Sequence, residues 1–227
     1  MDPQTMPGHE PPHALPGTLP KALFLFTVFY GGMVCIAGVL GAKQVALGSL
    51  AVEAGIFPFL LLVALSSAVA AHYGKPVADM LVRFGFVPLV TAILLTFFVI
   101  RLPTDPAMYE PAKEAFPIVL GQSWRLMAAG IVAYGVSMTL NVYLFDRLAA
   151  IGGRFVALRG AIASLISQVV DTLVFITISF YGVRPIGDLI AGQALAKVVL
   201  SVVVVPVLIR LLLAIARRLD GRESVAA

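Results

Sequence analysis

The chain has 227 residues, of which 60% are hydrophobic and only 12% charged, with 20 glycines, a net charge of +4 and a mean hydropathy of +0.99. An ordinary soluble domain carries about 25% charged residues, and one of this size has too little interior to hide so much apolar surface. A soluble enzyme, a nucleic-acid-binding module and a disordered chain are excluded, which leaves a polytopic membrane protein.

Residues 1–20 contain Pro3, Pro7, Pro11, Pro12, Pro16 and Pro20 and almost no large apolar side chains, so they read as a disordered tail. Asp2 and Glu10 stand where a signal peptide would be basic. Six apolar segments follow, at about 22–41, 54–71, 81–100, 126–145, 160–180 and 187–213. Each approaches or exceeds the roughly 20 residues that carry a helix across about 30 Å of hydrocarbon. Lipid offers no water to exposed peptide groups, and strict two-residue alternation is absent, so these are helices rather than barrel strands. The fold class is therefore all-α: a six-helix transmembrane bundle over 21–215, between the N-terminal tail and a C-terminal tail over 216–227. Pro58 predicts a late or irregular start to the second helix, and Pro88 and Pro206 predict bends in the third and sixth. The segment 101–125, with Met108, Tyr109, Phe116 and Trp124, is expected to lie at the membrane interface.

Six spans place the tails and the second and fourth loops on one side. Lys21, Lys75, Arg83, Arg147, Arg154, Arg159, Arg210, Arg217, Arg218 and Arg222 fall there; Lys43, Arg101, Lys113, Arg125 and Arg184 fall on the other. That excess predicts both termini in the cytoplasm. Cys35, the single cysteine, excludes a disulfide framework and reads as a small packing residue. Ala37 with Gly41, and Gly160 with Ser164 and Gln168, have the spacing that lets helix backbones approach closely.

No soluble-enzyme motif is present, and no cofactor or metal is called for. His72 reads as interfacial, Trp124 and Arg125 (after Gln122) as interface anchors, and Asp79 with Arg83 as a surface ion pair. The informative residues are polar groups inside spans, since an ionised group at mid-bilayer costs about 2.5–3.5 kcal/mol on insertion scales. Ser164, Gln168 and Asp171 share one face of the fifth helix, with Thr172 beside them; Gln193 and Lys197 share one face of the sixth. The two helices form a hairpin turning near 184–185, and Asp171 and Lys197 each lie about 19 Å from that turn at 1.5 Å per residue. They are thus expected at matching depth near the midplane, either as a structural ion pair or as a substrate site. A carboxylate and an amide at one level match the edge of a guanine-like base. Asn141 is expected either to bond helix to helix or to line the same cavity.

VLGQSWRL (119–126), Asn141 in LNVYLF, QVVDTLVF (168–175) and Lys197 followed by Pro206 together resemble the queuosine precursor transporter family, also called VUT. AGIFPF (54–59) and the Tyr73-Gly74 pair fit as well, so the resemblance runs from about 22 to 215. It implies a bacterial inner-membrane transporter, not an enzyme. Its cargo would be 7-cyano-7-deazaguanine or a related 7-deazapurine destined for queuosine in transfer RNA. Gln168, Asp171 and Lys197 would be its substrate or coupling residues. Ser67, Ala71 and Ser201 stand where members carry acids. The competing reading is the substrate-binding subunit of an energy-coupling-factor importer, with an ATPase module as partner and a different heterocycle or vitamin as cargo. The chain's partners under the first reading are a small molecule and membrane lipid, without nucleic acid, and a homodimer is open.

Overall fold

The computed structural model describes residues 19–47, 50–121, 124–149, 155–182 and 186–221. Most of the Pro-rich tail, Gln122, Arg154, the turn at 183–185 and the end of the C-terminal tail lie outside the described residues. The elements are α1 (Lys21–Gly41), β1 (Gln44–Leu47), β2 (Leu50–Glu53), α2 (Ile56–Tyr73), α3 (Lys75–Ile100), α4 (Glu110–Leu120), α5 (Trp124–Arg147), α6 (Val156–Phe180) and α7 (Gly187–Leu219). All except α4 among the helices are long and apolar enough to cross a membrane, which gives the six expected spans.

Burial sorts the helices. α2 is apolar all round apart from Ser66 and Ser67, and it buries an unbroken run from Leu62 to Val69, as a helix enclosed by others does. α1, α3, α5, α6 and α7 all touch it. α3 turns Phe84, Val87, Leu94, Leu95 and Phe98 outward. So large an exposed apolar surface fits lipid contact. α5, α6 and α7 pack side by side as a second layer of three. There Gly160 of α6 allows close approach, because a Cβ on it would meet Ile209 of α7. The backbone of Gly55 likewise lies against Ala37 and Gly41 of α1.

The helix ends and connections add detail to the sequence expectation and in places differ from it. The connection between α1 and α2 is an antiparallel ribbon pairing Gln44 with Glu53 and Val45 with Val52, and β2 packs on α7. Pro58 occupies the first turn of α2, where its missing N–H has no helical partner to lose. α3 begins at Lys75, a turn and a half earlier than hydropathy suggests. Pro76 suits its first turn, and Lys75 bonds Asp79 one turn on. This corrects the expected Asp79–Arg83 pair, because Lys75 takes the carboxylate and, among the described residues, no acid pairs with Arg83. The 101–125 segment contains α4, an amphipathic helix that buries no residue within the protein and exposes Phe116, Ile118 and Val119. α3 and α7 continue as helices through Pro88 and Pro206. Gly74, at φ +90°, makes the turn between α2 and α3 and caps both.

One carboxylate ties three helix ends together. Asp220, just past α7, accepts hydrogen bonds from the Ala22 backbone N–H of α1 (3.1 Å) and from the Tyr73 hydroxyl of α2 (2.6 Å). His72 Nε2 stands 3.4 Å from the same carboxylate. The start of α1 and the end of α7 therefore share one face of the bundle. Burial pushes the Asp220 carboxyl upward in pKa, but the hydroxyl of Tyr73, the amide of Ala22 and His72 outweigh it and hold it below the ordinary carboxylate value. A carboxylate held down in the folded state adds stability above its unfolded pKa, and that stability is lost as pH falls through the folded value. Asp220→Asn should therefore lower the thermal midpoint in detergent near neutral pH. The gap to the parent chain should close below about pH 4. A gap that stays constant down to about pH 3 would show that the ionised form is not what binds the three ends.

Candidate functional site

Counting residues from the hairpin turn brings Asp171 and Lys197 to one depth, and the side chains meet there. Lys197 Nζ donates to Asp171 Oδ2 at 3.1 Å, and Ser137 Oγ of α5 donates to Asp171 Oδ1 at 3.1 Å. Both charged residues are buried, at 8% and 7% exposure. An isolated charge there would be expensive, and the pair with its hydroxyl donor is the arrangement that makes it tolerable.

The pair also borders open space. A cavity of about 520 Å³ is lined by Asp171 and Lys197, by Tyr134 and Gly130 of α5, and by apolar residues of α1, α2 and α3 such as Val34, Leu62 and Leu89. It extends to Gly41, Gln44 and Glu53, and to Ile118 and Phe180, at the face opposite the Asp220 clamp. Its wall is therefore mostly apolar with a few placed polar groups, as in small-molecule sites. Cys35 lines it too, its Sγ 3.6 Å from the Pro88 carbonyl.

The remaining candidates fall into two places. Gln193, one turn from Lys197, reaches the ribbon: its Nε2 lies 3.4 Å from Glu53 Oε1. Asn141, Gln168 and Thr172 are fully buried behind the cavity wall and do not line it. Asn141 bonds helix to helix, with Nδ2 donating to Ser66 Oγ (3.1 Å) and Ser67 Oγ (3.2 Å) of α2. Thr172 Oγ1 donates to the Gln168 carbonyl at 2.9 Å. Of the three positions where the resemblance leads one to expect acids, Ser67 is thus an acceptor for Asn141, Ser201 is fully buried, and Ala71 is exposed.

Two polar levels result. Ser137, Asp171 and Lys197 form the first, at the cavity. One turn toward the clamped face on each of α5, α6 and α7 stand Asn141, Gln168 and Ser201. Among the described residues, neither amide atom of Gln168 has a hydrogen-bond partner, nor do Asn141 Oδ1, Ser164 Oγ and Ser201 Oγ. The second level is thus polar and uncharged, with donors and acceptors not committed to other described residues.

Sequence reasoning missed Glu53, Ser137 and Arg125's actual role. Glu53 is the lone acid in an apolar stretch, and Ser137 is four residues before Asn141; both signals were readable. Arg125 donates to the carbonyls of Ile178 and Tyr181 (2.7 Å to the latter). It caps the end of α6 as basic side chains do.

A family described as "Putative vitamin uptake transporter" matches residues 53–211, a stretch that includes every candidate site residue. The chain belongs to this family. It is a multi-pass membrane protein of a transporter family, built on six spans. A protein of Bacillus subtilis (strain 168) named "Probable queuosine precursor transporter" is 28% identical over 115 residues, 50% of this chain and 49% of that one. The chain spans about half the length of this curated relative in the match. No solved structure matches the chain.

Proposed function

We propose that this protein imports a queuosine precursor, 7-cyano-7-deazaguanine or a related 7-deazapurine, across a bacterial inner membrane with both termini in the cytoplasm. The observation that carries the reading is the buried Asp171–Lys197 pair bordering a 520 Å³ cavity inside the bundle. The name of the Bacillus subtilis relative supports the cargo class, and the family supports uptake of a small molecule.

The mechanism follows from the donors and acceptors. A deazaguanine presents two N–H donors along one edge, and a carboxylate accepts both. At Asp171 those donors compete with Lys197 and Ser137, so binding exchanges an internal ion pair for a cargo contact. Lys197 then turns to a carbonyl acceptor of the same ring. The apolar walls accommodate its faces. Inward passage uses the second level, where Gln168, Asn141 and Ser201 supply uncharged donors and acceptors one turn on. In this reading the Asp220 contacts, which join the ends of α1, α2 and α7 on the far face, part when access alternates. Protonation of Asp171 couples the cycle to the proton gradient.

The test is expression in a bacterium that neither makes nor imports the precursor, with queuosine in its transfer RNA as readout. The parent chain should restore queuosine. Asp171→Ala and Gln168→Ala should abolish the rescue at unchanged amounts of protein in the membrane, and full rescue by both would remove the site. Uptake by the purified chain in vesicles separates a self-sufficient transporter from a subunit that needs an ATPase. Uptake indifferent to collapse of the gradient would remove the proton step.

A further inference from the structure

A second hollow, of about 510 Å³, lies on the outside of the bundle between α3 and α5. Lys75, Asp79, Val82 and Arg83 of α3 form one wall, and Gly135, Val136, Thr139, Leu140 and Tyr143 of α5 form the other. Beneath it the two helices pack closely, since a Cβ at Gly135 would strike the Phe86 ring at 2.8 Å. It takes no part in the cavity at Asp171.

The charges in this groove do not balance. Asp79 is held by Lys75, one turn before it. Arg83 is exposed, and among the described residues no carboxylate pairs with it. Arg147 donates to the Tyr143 hydroxyl at 3.2 Å and stacks over that ring, adding a third cation at the groove's mouth. The other nearby acid, Asp146, lies within electrostatic reach of Arg159 on α6. Three cations therefore face one carboxylate that is already engaged.

Depth sharpens the point. Arg83 is eight residues past the start of α3, about 12 Å along the axis. Its neighbours Phe84 and Val87 are 63% and 62% exposed, so this face is turned to lipid. A guanidinium on such a face, without an acid, needs a counter-charge, and the lipid side supplies one kind: a headgroup phosphate. The apolar part of the groove that faces outward is Leu140 and, one turn further from the end of α5, the exposed Val136, with Val82 buried beneath them; an acyl chain would lie along these two.

We propose that the α3–α5 groove is a binding site for an anionic phospholipid, with its phosphate on Arg83 and the Tyr143–Arg147 pair and one acyl chain along Val136 and Leu140. The site lies toward the face that holds the start of α1 and the end of α7, and it shares no lining residue with the cargo cavity.

The experiment uses the full chain in a non-ionic detergent. Phosphatidylglycerol or phosphatidylcholine is added at equal mole ratio, and bound lipid is counted by native mass spectrometry alongside the thermal midpoint. Phosphatidylglycerol should be retained and should raise the midpoint; phosphatidylcholine and soluble glycerol phosphate should do neither. Arg83→Gln should reduce retention about fivefold, the worth of one basic residue at an anionic surface. Thr139→Trp, which fills the groove and leaves every charge in place, should reduce it as well. Lys113→Gln, on the opposite face, should leave it unchanged. Equal losses from Lys113→Gln and Arg83→Gln would mean that bulk charge, not a site, holds the lipid. A mass showing two chains and no lipid would assign the groove to a second copy. Either result overturns the proposal.

Discussion

Lys197→Met should abolish uptake and cost the fold about 3–5 kcal/mol, because it leaves Asp171 as an uncompensated charge in the middle of the bundle. The methionine keeps most of the volume, so the loss is electrostatic rather than a packing defect. The double variant Asp171→Asn with Lys197→Met removes both charges. The introduced amide retains an acceptor for Ser137, whose Oγ lies 3.1 Å from the native carboxylate. Most of the lost stability should therefore return, since replacing a buried pair outright is often neutral or stabilising. Uptake should not return. That contrast separates the two roles the pair can have. A brace between α6 and α7 predicts that stability and uptake recover together in the double variant. A cargo or coupling site predicts that they part. Thermal midpoints in detergent and vesicle uptake, measured on the parent, both single variants and the double, give the coupling directly.

The parts of this molecule that were readable in the sequence are those governed by one dimension. Hydropathy along the chain reports lipid crossing, and all six spans stand where the apolar runs are. The depth of Asp171 and Lys197 followed from a rise per residue and a turn position, and the two side chains do meet. The face of a helix is harder. Gln168 shares a face with Asp171 by spacing, but one turn moves it from the cavity to the sealed level behind it. Only the packing of α2 and α5 decides where the hollow stops. Partners distant in sequence were not readable at all. Asp220 meets Ala22, 198 residues away, and nothing in the local pattern RRLDG announces that contact. Asp79 shows the same limit at short range: both Lys75 and Arg83 are four residues from it. Their spacing is symmetrical, and the start of α3 at Lys75 is what settles the pairing. The ribbon Gln44–Glu53 was hidden because a connection of that length reads as a loop unless something covers it. Here β2 packs on α7 and Glu53 meets Gln193.

Gly85→Ala should be among the most damaging single-methyl changes in the protein. Gly85 sits where α3 faces two buried tyrosines, Tyr30 of α1 and Tyr134 of α5. The Tyr134 hydroxyl donates to the Val82 carbonyl at 3.1 Å. Its proton is committed there, so Tyr30 must be the donor in the 2.9 Å contact between the two hydroxyls. This relay joins three helices through two buried hydroxyls. A Cβ at Gly85 would collide with the Tyr134 hydroxyl oxygen and stand 2.7 Å from Tyr30 Cε1. The Tyr134 ring has little freedom to withdraw, since Phe86 packs edge-on against it at 4.9 Å. Both hydrogen bonds should break, at about 1–3 kcal/mol for each buried group left without a partner. The roughly 1 kcal/mol that alanine gains over glycine in a helix does not offset this. We expect a net loss of about 2–5 kcal/mol, read as a lower thermal midpoint in detergent. Gly32→Ala on α1, whose Cβ would meet nothing within 4 Å, should leave the midpoint unchanged or raise it slightly. Tyr134→Phe removes the colliding oxygen, so in the Gly85→Ala background it should cost much less than in the parent chain. Additive losses would mean that the clash at Tyr134 is not the cause. Tyr134 also lines the cavity beside Asp171. Any backbone shift that relieves the clash moves a residue of the cavity wall, so uptake should fall even where the variant is still folded.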